Sequence, residues 1–119
     1  PAATTALARE FGLGAGVAFN PETPVDDAVA ASEGADLVLC MSIHPGYSGQ
    51  AFRTESLERI QDLRVRVPSD VHVQVDGGVT PDNVAEIRDA GANLIVAGSA
   101  IFDREDLPRA YQRLVRALA

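Results

Sequence analysis

The chain has 119 residues, 46% hydrophobic and 23% charged, a composition that supports a folded domain with a buried core. Ten basic residues against seventeen acidic ones leave a net charge of −7, which argues against nucleic acid or anionic membrane as partners, because phosphate neutralisation drives binding to both. No apolar run approaches the ~18 residues of a membrane span, and the single cysteine, Cys40, excludes an internal disulfide and a Cys/His zinc cluster, so the cytoplasm is the expected compartment.

Pro1 opens the chain with neither Met nor a signal-like segment, and the residues behind it already read as the body of a helix. The sequence is expected to be cut from something longer. That helix is predicted from Ala2 to Phe11, with Leu7, Ala8 and Phe11 on one side and Gly12 as its stop. Gly14 to Phe19 is a short apolar run ending in Asn20-Pro21, the pattern of a buried strand. Thr23-Pro24 predicts an N-cap with proline at the first helical position, and Gly34 closes that helix. Asp36 to Ile43 predicts the second strand. The loop from His44 to Phe52 is the longest in the chain. A helix follows from Thr54 to Val67, with acids (Glu55, Glu58) early and arginines (Arg64, Arg66) late, as the macrodipole favours. Val71, Val73 and Val75 alternate with His72, Gln74 and Asp76 in the third strand, ended by Gly77-Gly78. Thr80-Pro81 repeats the cap-plus-proline signal before a stripe of Val84, Ile87 and Ala90, stopped by Gly91. Leu94 to Ala97 predicts the last strand, and Leu107, Ala110, Tyr111, Leu114, Val115 and Leu118 mark the final helix.

One helix followed by four βα units implies an α/β fold with a parallel sheet and right-handed crossovers. An open doubly wound sheet and part of a (β/α)8 barrel both satisfy that order. The GxGxxG run of a dinucleotide-binding sheet is absent. Small or polar residues instead close every strand: Asn20, Ser42 with His44, Asp76 with Gly77, and Gly98 with Ser99. Barrel enzymes build their sites from those ends, and four units are half of a closed barrel.

The sharpest local signal is Val75-Asp76-Gly77-Gly78-Val79, where a strand-end carboxylate precedes two glycines whose N–H groups a ligand can approach closely. Its bland reading is an aspartate that ties down a turn. Ala97-Gly98-Ser99-Ala100 repeats the pattern one unit later. Alone it is a common turn, but beside Gly77-Gly78 it predicts a phosphate subsite. Gly46, Tyr47, Ser48 and Gly49 lie in the long loop, as fitting for a binding loop as for a surface turn. His72 shares strand parity with Asp76 and reads as a hydrogen-bonded interior residue, and His44 as a polar residue at a loop entrance. Cys40 reads as a small apolar residue.

The runs Gly16-Val17-Ala18-Phe19-Asn20-Pro21-Glu22-Thr23-Pro24, Met41-Ser42-Ile43-His44-Pro45-Gly46-Tyr47-Ser48-Gly49-Gln50-Ala51-Phe52, Val75-Asp76-Gly77-Gly78-Val79 and Val96-Ala97-Gly98-Ser99-Ala100-Ile101-Phe102 occur in that order. Together they resemble the ribulose-phosphate 3-epimerase family and its close sugar-phosphate relatives, over essentially the whole chain. The match is to the C-terminal half of the family's TIM-type (β/α)8 barrel, making residues 1–119 a single partial domain: a (β/α)4 half preceded by one helix.

The resemblance implies interconversion of D-ribulose 5-phosphate and D-xylulose 5-phosphate, assisted by one divalent metal ion (Zn, Fe, Mn or Co). Asp76 would be both a metal ligand and one of two carboxylates exchanging the C3 proton through an enediolate. Met41, Gly46, Tyr47, Ser48, Gly49, Asp76, Gly77, Gly78, Gly98 and Ser99 would bind the substrate, with Met41 capping the reacting carbon. The family's other metal ligands, two histidines and an aspartate, and its second catalytic carboxylate belong to earlier strands. The loop departs from the family's usual Asn-Pro-Gly-Phe-Gly-Gly at His44, Tyr47 and Ser48. The expected partners are a phosphorylated ketose, an N-terminal half-barrel and further copies of the chain in a homo-oligomer. The isolated piece is expected to be inactive. Two alternatives stand beside this reading: a non-catalytic half-barrel that binds phosphate ligands, and an epimerase of a related ketose phosphate such as allulose 6-phosphate.

Overall fold

Short apolar strands need cover on at least one face. In the computed structural model, which describes residues 2–43 and 51–119, the strands lie side by side in one sheet roofed by helices. In chain order the elements are α1 (Ala2–Glu10), β1 (Gly16–Phe19), α2 (Val25–Ala31), β2 (Leu37–Met41), α3 (Ser56–Arg66), β3 (His72–Asp76), α4 (Val84–Ala90), β4 (Leu94–Val96), α5 (Ser99–Phe102) and α6 (Leu107–Leu118). All strand pairs are parallel and the sheet order is β1-β2-β3-β4. A doubly wound sheet reverses its order at a switch point and carries helices on both faces. Sequential order with one covered face is instead the winding of a barrel. The chain is four βα units of a TIM-type (β/α)8 barrel preceded by one helix.

The register is unbroken across the sheet, so pleat positions align in rows. Phe19, Cys40, Val75 and Ile95 form one row, and Val17, Val38 and Val73 another. Val38, Cys40, Val73 and Val75 are fully buried beneath Ile60 and Leu63 of α3 and Val84 and Ile87 of α4. Neighbouring helices close the outer layer, α2 against α3, α3 against α4, and α4 against α6. The alternate positions Leu37, Leu39, Met41 and Gln74 are only half-buried and His72 is exposed. This is the inward-facing side of the barrel wall; the period of two read from sequence in β3 assigns it, and β2 follows through the register.

Several local expectations change. α1 ends at Glu10, and its apolar residues do not pack: Leu7 is 53% exposed and Phe11 75%, while Thr5 is the buried residue of the helix. What docks α1 is polar. Arg9 donates to the Gly34 carbonyl and to Asp36 Oδ1, both at 2.8 Å. Thr23 makes no side-chain cap. Pro24 itself occupies the N-cap position of α2, because Thr23 is held in a turn by its N–H bond to the Asn20 carbonyl (3.0 Å) and by Arg59 on its own carbonyl. The second cap signal works differently: Thr80 starts a tight turn, its carbonyl accepting from Val84 N at 3.0 Å, so α4 begins at Val84 with Asn83 at the cap. The one-turn helix α5 was not foreseen, since four residues show no period. Gly98 starts it by accepting from the N–H groups of Ile101 and Phe102.

Candidate functional site

The C-terminal ends of β2, β3 and β4 converge because the register pairs Met41 with Asp76 and Asp76 with Val96. Beyond that row the chain turns sharply at Gly77 (φ +122°) and Gly78 (φ +68°). Glycine at 77 is a steric requirement: a Cβ there would lie 2.4 Å from Ile43 Cγ1 and 3.0 Å from Ile43 N. The result is a small cavity of about 50 Å³ at the strand ends, lined by Ile43, Asp76, Gly77, Gly78, Val79, Val96, Gly98 and Ser99.

Five of the residues singled out from sequence, Asp76, Gly77, Gly78, Gly98 and Ser99, meet around this one cavity. Met41 is on the inward face next to Asp76. Gly46, Tyr47, Ser48, Gly49 and His44 lie outside the described residues. Among the described residues, Asp76 is the only carboxylate lining the cavity.

Two residues to which the sequence reading gave no role in the site hold this turn. Ser42, with no exposed surface, donates its backbone N–H to the Asp76 carbonyl at 2.9 Å. Its Oγ sits 3.0 Å from that carbonyl and 2.6 Å from the carbonyl of Gly77. Asn83 accepts from Thr80 N (2.8 Å) and donates from Nδ2 to the Gly78 carbonyl (3.0 Å). The Ser42 contacts join segments 34 and 35 residues apart and have no spacing signature, whereas the Asn83 contacts are local, three and five residues away, a spacing the sequence does carry.

A divalent metal needs several donors converging on one point. Among the described residues no group of three or more His, Cys, Asp or Glu side chains could hold one. His72 shares a face with Asp76, but four residues of strand separate them by roughly 13 Å, and its Nδ1 is paired with the Asn93 amide at 3.0 Å. The donors described here do not make a metal centre by themselves.

Cys40 lies on the opposite, helix-covered side. Burial pushes its thiol above the ordinary value, against the pull of the nearby Arg59 guanidinium. Arg59 also stacks 5.2 Å over the Phe19 ring and reaches the Asn20 and Thr23 carbonyls, bracing the β1–α2 turn.

A larger cavity, about 520 Å³, opens at the other ends of the strands between Arg9, Val29, Asp36, Arg66 and Val71. Its arginines are engaged, Arg9 by Asp36 and Arg66 by Asp26 at 2.7 Å, leaving it without convergent free donors. In barrels that end contributes to stability, and the catalytic groups gather at the opposite one.

One acid and four small residues gathered at the strand ends of half a barrel are the arrangement with which enzymes of the (β/α)8 class hold ligands at their C-terminal face. The ribulose-phosphate 3 epimerase family model matches residues 1–102, and the chain belongs to that family. It is 39% identical over 119 residues to ribulose-phosphate 3-epimerase of Escherichia coli (strain K12), covering 98% of this chain and 53% of that relative. The Aquifex aeolicus (strain VF5) epimerase is likewise 39% identical, over 114 residues, 93% of this chain and 51% of the relative. The chain spans about half the length of the curated relatives it matches. Among solved structures, a 3-hexulose-6-phosphate synthase superposes with a TM-score of 0.73 at 25% identity, covering 99% of this chain and 56% of that one.

Proposed function

We propose that this chain is the half of a sugar-phosphate 3-epimerase that supplies the phosphate subsite and one of the two proton-transfer groups, acting on D-ribulose 5-phosphate. The observation that carries the reading is the convergence of Asp76 with Gly77, Gly78, Gly98 and Ser99 around one cavity. Glycine turns present backbone N–H groups with no side chain in the way, and a phosphate dianion accepts from several of them at once. Held there, the sugar's reacting carbon extends toward the end of β3, where Asp76 stands, with Met41 beside it to exclude water.

The C3 proton of a 2-ketose is acidified by the neighbouring carbonyl. Asp76 takes or returns it on one face, and the planar enediolate receives its new proton from the opposite face. A second acid/base is required for that face, and the described residues line the cavity with only one carboxylate. The second group is proposed to come from a complementing N-terminal half-barrel, which also covers the inward face of Leu37, Leu39, Met41 and Gln74. Divalent-metal assistance belongs to the same assembly, with Asp76 as one ligand among donors from that half. Association of the chain into a homo-oligomer is the alternative way to cover the same face, and the cytoplasm is the proposed compartment.

The single carboxylate also favours a second reading, in which the chain binds phosphate ligands without turnover. An epimerase assay separates the two. The chain joined behind the part of the Escherichia coli relative that it does not span should convert ribulose 5-phosphate, while the chain alone should not. A parallel assay on allulose 6-phosphate sets the sugar. No conversion by the joined protein, with phosphate still bound, would leave the binding module.

A further inference from the structure

The two polar side chains at the glycine turn do more than close a loop, because each takes a carbonyl and leaves an N–H. Ser42 Oγ carries one proton. The Asp76 carbonyl already accepts from Ser42 N at 2.9 Å, and the Gly77 carbonyl is the nearer acceptor at 2.6 Å, so the proton goes to Gly77. The Asn83 amide has its orientation fixed by its two partners, since Thr80 N needs an acceptor and the Gly78 carbonyl needs a donor. Ser42 comes from the end of β2 and Asn83 from the start of α4, so consecutive carbonyls of one turn are tied to two different elements.

Fixing a carbonyl fixes the direction of its whole peptide plane. Glycine turns are otherwise the most mobile backbone in a chain, because φ of either sign is open to them. The Gly77 carbonyl shares its plane with the Gly78 N–H and the Gly78 carbonyl with the Val79 N–H, and within the described residues neither N–H makes a backbone hydrogen bond. Tethered carbonyls with unspent N–H groups at the wall of a cavity form a preorganised anion cradle, which is worth more than the same groups on a free loop.

We infer that Ser42 and Asn83 are positioning residues that set the Gly78 and Val79 N–H groups toward the cavity and thereby set its affinity for a phosphate dianion. This rests on the phosphate subsite proposed above. It assigns the strength of that subsite to two side chains that do not touch the ligand.

The test uses the chain itself, with inorganic phosphate as the probe and two readouts from amide NMR: residual dipolar couplings of Gly78 and Val79, and the phosphate titration. Ser42→Ala should change the couplings and weaken phosphate about fivefold, the value of one hydrogen bond. Ser42→Thr, which keeps the hydroxyl, should restore both. Asn83→Asp keeps the acceptor for Thr80 N and removes only the donor to the Gly78 carbonyl, so it should reorient the Val79 N–H with α4 intact. It provides the second arm should Ser42→Ala fail to fold. Unchanged couplings in the variants overturn the tether, whatever phosphate does. Changed couplings with unchanged affinity overturn the positioning role. If wild-type chain gives no phosphate shifts at these amides, the phosphate subsite itself fails, and the couplings alone still decide the tether.

Discussion

Replacing Gly77 by alanine combines two costs that the structure sets separately. The backbone at φ +122° disfavours any L side chain by roughly 1–2 kcal/mol. The new methyl would also sit 2.4 Å from Ile43 Cγ1 and 3.0 Å from Ile43 N, and relieving such overpacking takes about 1–3 kcal/mol. Part of that contact is backbone, so a side-chain rotation cannot remove all of it. Gly77→Ala should lose about 2–5 kcal/mol, a large fraction of the ~5–15 kcal/mol typical of a domain. With an m-value of about 1–3 kcal/mol/M, the urea midpoint should fall by ~1 M or more. Gly98→Ala is the control. Gly98 has negative φ and nothing within 4 Å of a built Cβ, so its midpoint should stay within about 0.5 kcal/mol of wild type. Adding Ile43→Ala to Gly77→Ala should recover the steric part, with a coupling of ~1–3 kcal/mol. Equal midpoints for Gly77→Ala and Gly98→Ala would refute the claim that close approach to Ile43 makes glycine necessary.

Asp36 is held below the usual carboxylate range, first by the Ala15 N–H and then by Arg9, so it stabilises the fold above its ordinary pKa and loses that contribution as pH falls through the lowered one. The Tm gap between wild type and Asp36→Asn should be widest near neutrality and narrow below about pH 4; a constant gap would contradict the charge argument. Cys40, fully buried with its thiol pushed up, should react with a disulfide reagent only at the rate of global unfolding, and rapid labelling of the native chain would contradict its placement. Calorimetric titration of the chain alone with Zn or Mn should give no saturable one-to-one site, because among the described residues Asp76 is the lone carboxylate at the cavity; stoichiometric binding would overturn the assignment of the remaining donors to a complementing half.

The barrel wall was legible because β3 alternates, Val73 and Val75 against Gln74 and Asp76; in β2 the register sets Val38 and Cys40 against Leu39 and Met41. The convergence of Asp76, Gly77, Gly78, Gly98 and Ser99 was legible for a related reason, since parallel strands in sequential order bring all their C-terminal ends to one rim. What sequence did not disclose depends on partners distant along the chain. Ser42 meets the Gly77 carbonyl 35 residues away, a contact that exists only once register pairs Met41 with Asp76. Arg59 reaches back to the β1–α2 turn and displaces the expected Thr23 cap. The apolar side of α1 has a helical period but no element to pack on among the described residues, so Leu7 and Phe11 face solvent.

The central claim is that Asp76 exchanges the C3 proton of a phosphate-anchored ketose. Incorporation of solvent deuterium at C3 tests it directly, run in D2O on the chain joined to the complementing part of the Escherichia coli relative, with ribulose 5-phosphate and xylulose 5-phosphate each as substrate. The joined wild-type protein should wash deuterium into C3. Asp76→Asn should lower wash-in more than tenfold, about 1.4 kcal/mol in barrier, for the epimer whose C3 proton faces Asp76, while inorganic phosphate still shifts the amide signals of Gly77, Gly78, Gly98 and Ser99. Deuterium entering C3 of both epimers in Asp76→Asn at more than a tenth of the wild-type rate would contradict the assignment, because the opposite-face group by itself serves only one of them.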